Sequence, residues 1–241
     1  MYSKGWSTEI YQKYEQLKTD TGTYNNDDWV RKQIKRVQNF DKEEKVSTHR
    51  NQLLLSQVEK MPFDNITVID FGGGLGLSYL PLKAAGYNNI KYKIIEVPKV
   101  VSEARRIYKN DDNISFHESF NEIDTCPDIV YIRTSLQYAK DPLGILSKIA
   151  DFKPKKIVLC DTSCGDIDTF LTYQLWGDEK IPYWFLNKEE IIKTLSKKGY
   201  AKKSEKVSQS IESNKSFKDL KKYPKKHRIK TLINFIFENE N

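Results

Sequence analysis

The stretch Val68-Ile69-Asp70-Phe71-Gly72-Gly73-Gly74-Leu75-Gly76-Leu77-Ser78 determines the fold expected for this chain. An apolar, β-branched run leads into four glycines, and helical patterning follows over residues 77–85. Glycine allows a tight backbone turn and lets a ligand approach without an intervening Cβ atom. The following helix begins with N–H groups that have no partner inside the helix and can face an electron-rich ligand. The stretch therefore predicts a strand, a ligand-binding loop and a helix in succession.

The spacing of the glycines excludes two common nucleotide sites. In the dinucleotide-binding pattern G-x-G-x-x-G counted from Gly72, the third glycine falls at Leu77, and the count from Gly74 fails as well. The Gly-Lys-Ser/Thr end of a phosphate-binding P-loop is also absent.

Two carboxylates indicate a different ligand. Asp70 lies inside the motif, where a pyrophosphate would be repelled but an ammonium group would be attracted. Glu96 ends the next apolar run, and a carboxylate at that position can accept hydrogen bonds from both ribose hydroxyls. A nucleoside with a cationic amino-acid tail fits both, and S-adenosylmethionine is that molecule.

Strand-like and helix-like segments alternate through the middle of the chain. Apolar runs recur at 66–69, 92–95, 114–116, 129–132 and 157–159, and helical patterns lie at 77–85, 100–108 and 142–149. This alternation predicts an α/β fold with a parallel sheet. Beyond it, we expect a helix that Asn187 caps and Gly199 ends, strands at 200–207 and 230–237, and a polar, mobile loop at 208–224.

The first 60 residues differ in character and are predicted to form a helical cap or substrate region before a domain at 61–241. Three apolar stripes have helical spacing: Ile10/Tyr14/Leu17, Trp29/Ile34/Val37 and Leu53/Leu54/Leu55/Val58. Asp27 and Asp28 are the predicted N-terminal cap of the second helix, and residues 19–26 the loop before it.

Composition restricts the class of protein. The chain has 241 residues, a net charge of +7 and three cysteines, an odd and sparse set that favours neither a disulfide framework nor a zinc site. No stretch approaches the roughly 20 apolar residues that span a bilayer, and the start is not a signal peptide. These features predict a cytoplasmic protein without a metal site.

The motif resembles the S-adenosylmethionine-binding motif of class I methyltransferases, and the chain is more narrowly similar to a methyltransferase family of bacterial capsule and O-antigen biosynthesis. The segments that carry the resemblance are 22–29, 69–76, 95–98, 135–138, 141–142, 174, 182–187 and 199–200. It implies a Rossmann-like, seven-stranded, mostly parallel sheet whose last strand is antiparallel. The acceptor it implies is a sugar or a sugar-linked group, nucleotide- or lipid-linked.

The resemblance also implies how the cofactor is held. The glycines would line its methionine and ribose portion. Asp70 would contact the amino-acid end, directly or through water, and Glu96 would hold the ribose. Ser119 and Phe120 take the adenine-contact position, where many class I enzymes have an aspartate. The full predicted cofactor set is Asp70, Phe71, Gly72, Gly73, Gly74, Gly76, Glu96, Val97, Ser119, Phe120 and Thr134.

Acceptor and catalytic residues are expected after the fourth and fifth strands, since ligands in this fold lie outside the carboxyl ends of the strands. A hydroxyl acceptor needs a base, whereas a phosphate or carboxylate acceptor does not. Asp161 is the candidate base, although an aspartate before Thr162 equally suits a turn. The other candidates are His49 and Tyr138 for catalysis, and Arg133, Gln137, Gln174, Tyr183 and Trp184 for substrate binding.

The basic run over residues 215–230 leaves alternatives open. It is either a solvated loop or a patch for an anionic glycan, a membrane surface or RNA, although no RNA-binding aromatic motif accompanies it. With the net charge, the run keeps an RNA or small-metabolite methyltransferase as an alternative. The absence of an unambiguous base keeps a catalytically silent cofactor-binding module as another. The sequence does not indicate the oligomeric state.

Overall fold

The computed structural model describes residues 3–18, 24–40, 49–62, 65–209 and 217–240. The strands in this part are β1 (Ser3–Trp6), β2 (Ile66–Phe71), β3 (Ile90–Ile95), β4 (Ile114–His117), β5 (Ile129–Arg133), β6 (Lys156–Thr162), β7 (Cys164–Gly165), β8 (Phe170–Trp176), β9 (Glu179–Asn187), β10 (Tyr200–Val207) and β11 (Ile233–Asn239). The α-helices are α1 (Asp27–Gln38), α2 (His49–Val58), α3 (Tyr79–Ala84), α4 (Pro98–Ile107), α5 (Pro142–Asp151) and α6 (Lys188–Ser196).

A seven-stranded sheet with the order β10-β11-β6-β5-β2-β3-β4 organises the described residues. β2 pairs in parallel with β3 on one side and with β5 on the other, and β3 pairs in parallel with β4. The final strand β11 pairs antiparallel with β10. The predicted fold, a Rossmann-like and mostly parallel sheet, is confirmed.

The strands form where apolar runs can be buried on both faces. Four consecutive residues of β5 and residues 68–70 of β2 are buried, as expected when helices cover a parallel sheet. α4 illustrates the covering layer, since Pro98 occupies its first turn and Val100, Val101 and Ala104 form its buried face. This helix begins two residues after Glu96, so the carboxyl end of β3 is fixed by a rigid turn.

The chain divides into two compact units. The glycine-loop unit comprises Tyr24–Arg133 with Phe152–Val158. The aromatic unit comprises Met1–Thr23, Thr134–Asp151 and Leu159–Asn241.

A second, four-stranded sheet with the order β1-β8-β9-β7 lies in the aromatic unit and was not predicted. β8 and β9 form an antiparallel hairpin through Gly177, whose φ of 64° is in the left-handed region. No strand is predicted for residues 170–187 in the sequence analysis. Yet the Gly177-Asp178 pair between two apolar runs is typical of a hairpin turn.

Parts of the predicted N-terminal helical region are wrong. Residues near Ile10 are extended: Tyr11 donates its N–H to the Leu171 carbonyl at 2.8 Å and accepts the return bond at 2.8 Å. The spacing of apolar residues does not decide the structure there, because the backbone of this segment pairs with Leu171 of β8. α1 and α2 confirm the other two stripes. The N-cap of α1 is Asn26 rather than Asp27 or Asp28, since the Asn26 side chain accepts the Trp29 N–H.

The C-terminal predictions are confirmed in outline. Asn187 caps α6 by accepting the N–H groups of Glu189 and Glu190, Gly199 has a φ of 84°, and β10 covers residues 200–207. The last strand begins at Ile233 and not at residue 230.

The predicted polar, mobile loop at 208–224 is wrong for its described part. Leu220 and Tyr223 are buried in the aromatic core with Trp6 and Phe170, and Ser208 is buried as well. The Tyr223 hydroxyl donates to the Ser7 carbonyl, which fixes this segment in place. Residues 210–216 lie outside the described residues. Among the described helices, none is long and apolar enough to cross a membrane.

Candidate functional site

The loop after β2 has a backbone conformation that favours glycine. Gly72, Gly74 and Gly76 adopt φ values of 71°, 59° and 79°. At Gly73 the reason is space, because a Cβ atom there would lie 2.5 Å from Oδ2 of Asp70. The Gly72 N–H donates to the Ile95 carbonyl at 2.9 Å, so the loop is bonded to the end of β3. The result is a bare backbone surface beside two carboxylates.

Glu96 forms the acidic side of this loop. Its Oε1 accepts the Gly74 N–H at 3.0 Å and its Oε2 accepts the Val97 N–H at 2.8 Å. Burial raises the pKa of Glu96, and the two backbone hydrogen bonds partly offset that rise. The half-buried carboxylate is therefore held at the carboxyl end of β3, where the sequence predicted a ribose-binding acid.

Asp70 lies on the core side of the loop. It is 1% exposed, and Oδ2 accepts the Tyr92 hydroxyl at 2.7 Å. Burial raises its pKa to about 7, the Tyr92 hydrogen bond and the charge of Arg133 oppose the rise, and Glu96 adds to it. Because Gly73 lies directly against this carboxylate, Asp70 supports the loop from behind.

The predicted adenine side is aromatic. The rings of Phe71 and Phe120 stack with centroids 5.6 Å apart, and Phe152 lies 5.7 Å from Phe120. Ser119 precedes Phe120 and is half-buried, as is Val97. Phe120 thus already has aromatic neighbours within the protein, and its adenine role stays a prediction.

Arg133 ends β5 in the same unit, half-buried, and its charge lowers the pKa of Asp70. Its predicted role in substrate binding stays a prediction. Thr134 follows in the aromatic unit with a φ of 51° and donates its N–H to the Cys160 carbonyl at 3.1 Å.

The aromatic unit brings together several of the predicted acceptor residues. The Tyr138 hydroxyl donates to Oε1 of Gln174 at 2.9 Å, and its ring meets that of Tyr183 edge-on at 4.9 Å. The Tyr183 hydroxyl is bonded to Ser163 Oγ and to the Gln137 side chain. Gln137 is 2% exposed, and its Oε1 accepts no hydrogen bond from any described residue. We call Gln137, Tyr138, Ser163, Gln174 and Tyr183 the tyrosine cluster.

Asp161 lies next to this cluster, since its charge contributes to the raised pKa of Tyr183. It is buried, its φ is 55°, and its N–H donates to Oδ1 of Asn234 at 2.7 Å. Ser208 Oγ donates to Oδ1 of Asp161. A non-glycine residue held in the left-handed region at a strand end is a form of strain that concentrates at functional sites.

The last two predicted site residues are His49 and Trp184. His49 begins α2, but its side chain is outside the described residues, so its catalytic role stays a prediction. Trp184 is buried in β9 next to Tyr183 in sequence, and its indole N–H has no hydrogen-bond partner among the described residues.

A sequence profile described as "Methyltransferase domain" matches residues 43–205. The chain belongs to the methyltransferase-domain family. A comparison with curated proteins found no match.

The fold of this methyltransferase is similar to that of solved methyltransferases at low sequence identity. An S-adenosylmethionine-dependent methyltransferase from Clostridium acetobutylicum ATCC 824 aligns with a TM-score of 0.56 and 10% identity over 91% of this chain and 100% of that one. Magnesium protoporphyrin IX methyltransferase from Synechocystis PCC 6803, with bound S-adenosylhomocysteine, gives 0.54 and 13% over 90% and 97%. The glycopeptide N-methyltransferase MtfA, complexed with S-adenosylmethionine, gives 0.52 and 10% over 79% and 93%.

Two residues of the methyltransferase's candidate site were missed from the sequence. Gln33 of α1 is 4% exposed, and its Oε1 lies 3.3 Å from the position that a Cβ on Gly74 would take. Ser208 reaches Asp161 from the segment read as a mobile loop. A glutamine on a helix face and a serine in a polar stretch carry no recognisable signal, so only the fold reveals them.

Proposed function

We propose that this methyltransferase transfers a methyl group from S-adenosylmethionine to a hydroxyl of a sugar, or of a group attached to one, in surface-polysaccharide biosynthesis. The observation that carries the cofactor assignment is the junction of Glu96 with the glycine loop. A carboxylate fixed by the Gly74 and Val97 N–H groups lies beside a loop of glycines, in which a Cβ on Gly73 would meet Asp70 at 2.5 Å. These residues fit a nucleoside whose ribose needs hydrogen-bond acceptors.

When bound, S-adenosylmethionine supplies an electrophilic methyl group and leaves as a neutral thioether. The protein's own task is then to orient the acceptor and to remove the hydroxyl proton. Asp161 is the proposed proton acceptor, and the Ser208 hydrogen bond holds its carboxylate in one orientation. Tyr138, fixed by Gln174, is the proposed orienting group.

The tyrosine cluster supports a polar acceptor with an apolar face. Aromatic side chains such as Tyr138 and Tyr183 offer surfaces on which a sugar ring packs. The buried Oε1 of Gln137 is an acceptor that a substrate hydroxyl satisfies by donating to it, and an unsatisfied buried acceptor is costly. We also propose that three further residues bind the acceptor: Arg133, Gln174 and Trp184. Residues 1–60 are the proposed substrate region.

The assignment to polysaccharide synthesis rests on the resemblance of segments such as 135–138 and 182–187 to the capsule and O-antigen family. A cytoplasmic location and peripheral membrane contact remain predictions of the same kind.

Two measurements test the proposal. Isothermal titration of S-adenosylmethionine into the protein and into Glu96→Ala is expected to give binding that the substitution weakens at least tenfold. Mass spectrometry of surface glycans from cells with and without the protein is expected to show a loss of 14 mass units per methyl group, the mass of CH₂. An absence of cofactor binding refutes the enzyme assignment, and unchanged glycans refute the acceptor class.

RNA is the second acceptor considered, because of the basic segment. Several of its charges are engaged within the protein, however. Lys222 donates to the Trp6 carbonyl, Lys226 pairs with Asp168 at 2.8 Å, and Arg228 donates to the Tyr223 carbonyl at 2.5 Å. These contacts favour a structural role for the segment. Strong, salt-dependent retention on RNA would reverse that preference.

A further inference from the structure

Gln33 presents an amide group to the glycine loop from α1. The side chain is 4% exposed, and Oε1 lies 3.3 Å from the Cβ position built on Gly74. A glutamine amide offers two donors and an acceptor. Gln33 therefore places hydrogen-bonding groups at the edge of the candidate cofactor site.

The start of α1 is fixed to the same end of the sheet. Oδ1 of Asn25 accepts the Lys99 N–H at 3.1 Å, and Lys99 Nζ pairs with Asp27 at 2.9 Å. Lys99 follows Glu96 by three residues, so these contacts tie α1 to the turn that carries the ribose-binding acid. An exposed ion pair alone contributes little stability. Together with the hydrogen bond from the Lys99 N–H to Asn25, it holds the start of α1 against the turn after β3.

The amino-acid end of the cofactor needs more than one partner. Asp70 is predicted to contact it directly or through water, and its buried carboxylate lies against Gly73 and accepts the Tyr92 hydroxyl. Glu96 is committed to the ribose side. An ammonium group and a carboxylate next to each other need both an acceptor and a donor, which an amide supplies with one side chain.

We infer that Gln33 binds the amino-acid end of the cofactor, and that α1 forms a wall of the cofactor site rather than only a cover for the acceptor. The inference rests on the proposed use of S-adenosylmethionine. It assigns to the N-terminal region a role in holding the cofactor.

Binding measured by isothermal titration with two ligands tests the inference. S-adenosylhomocysteine carries the amino-acid end, whereas 5′-methylthioadenosine keeps the adenosine and sulfur but lacks it. Gln33→Met preserves the length of the side chain and removes its hydrogen bonds, and Gln33→Ala is the second variant. Gln38→Ala is the matched control, since Gln38 is an exposed glutamine of the same helix.

We expect Gln33→Met and Gln33→Ala to raise the Kd of S-adenosylhomocysteine about 10-fold, the loss typical of a hydrogen bond to a charged group. The Kd of 5′-methylthioadenosine stays within about twofold by the same argument, and Gln38→Ala changes neither. If both ligands weaken equally, Gln33 only supports the loop, and the inference is overturned; unchanged binding of both overturns it too. If the unsubstituted protein binds neither ligand, the proposed function itself fails.

Discussion

The Gly74 N–H donates to Oε1 of Glu96 at 3.0 Å, while the Val97 N–H donates to Oε2 at 2.8 Å. Each oxygen of one carboxylate therefore joins a different backbone segment, the glycine loop after β2 and the turn after β3. Charge-assisted bonds of this kind are stronger than neutral ones. The same group that is proposed to hold the ribose thus also sets the distance between the two loops that surround it.

Replacing Glu96 by glutamine is expected to weaken cofactor binding. The new NH₂ group faces a backbone N–H, so one of the two bonds turns into a contact between donors. We expect a 10-fold or greater rise in Kd and a loss of about 1–2 kcal/mol in the free energy of unfolding. Titration calorimetry and chemical denaturation measure the two effects. Glu103→Gln on the surface of α4 is the control and should change neither, and equal behaviour of the two variants contradicts the role of Glu96.

Gly73→Ala is expected to disturb the loop through Asp70. The added methyl group would lie 2.5 Å from Oδ2, so either the loop or the carboxylate must shift. Overpacking of this kind costs about 1–3 kcal/mol. The measurement is the free energy of unfolding by urea.

A double-mutant cycle isolates the cause. In an Asp70→Ala background the clashing oxygen is gone, so the same Gly73→Ala substitution should cost markedly less. An identical cost in both backgrounds would mean that the clash with Asp70 is not the reason for glycine at position 73.

Asp70→Asn is expected to stabilise the protein at alkaline pH. The pKa of Asp70 is raised by burial to about 7, from an unfolded value of 3.8. Between these values the unfolded chain releases a proton that the folded protein retains, so the aspartate lowers stability progressively as pH rises from about 4 to 7. A shift of about three units is worth at most about 4 kcal/mol. Asparagine can still accept the Tyr92 hydroxyl, and the stability gain should be largest at pH 8 and vanish near pH 4 in denaturation curves. A gain that is equal at every pH would show that ionisation is not involved.

The sequence predicted the parallel sheet well because its strands are buried on both faces. Continuous apolar runs such as 129–132 are typical of strands covered on both sides, and the glycines and strand-end Glu96 mark one edge of the sheet. The Asn187 cap was predictable for a similar reason, since its hydrogen bonds are local.

The remaining parts depend on contacts distant in sequence. Tyr11 is extended because Leu171 is available as a partner, and no local pattern shows that. The pairing of Ser208 with Asp161 spans 47 residues, and Gln33 of α1 lies against Gly74 of the loop after β2. Tyr223 was read as part of a polar loop because lysines surround it, although its ring packs against Phe170.

His227 is expected to make the protein sensitive to acid. It is 5% exposed, its ring lies 4.8 Å from that of Phe170, and neither ring nitrogen has a hydrogen-bond partner among the described residues. Burial lowers the pKa of His227 below 6.5, the charge of Lys226 lowers it further, and Asp168 opposes both. The unfolded chain therefore binds a proton near pH 6.5 that His227 does not bind in the folded protein, and stability falls as the pH drops below that value.

In His227→Phe this loss is absent, so the melting temperature of the variant should decline less than that of the unsubstituted protein between pH 8 and pH 5. The expected difference is about 2–4 °C, which corresponds to about 1 kcal/mol in a chain of this size. His117 is present in both proteins, so its own titration cancels, and parallel melting curves across this pH range would show that His227 is not the titrating group.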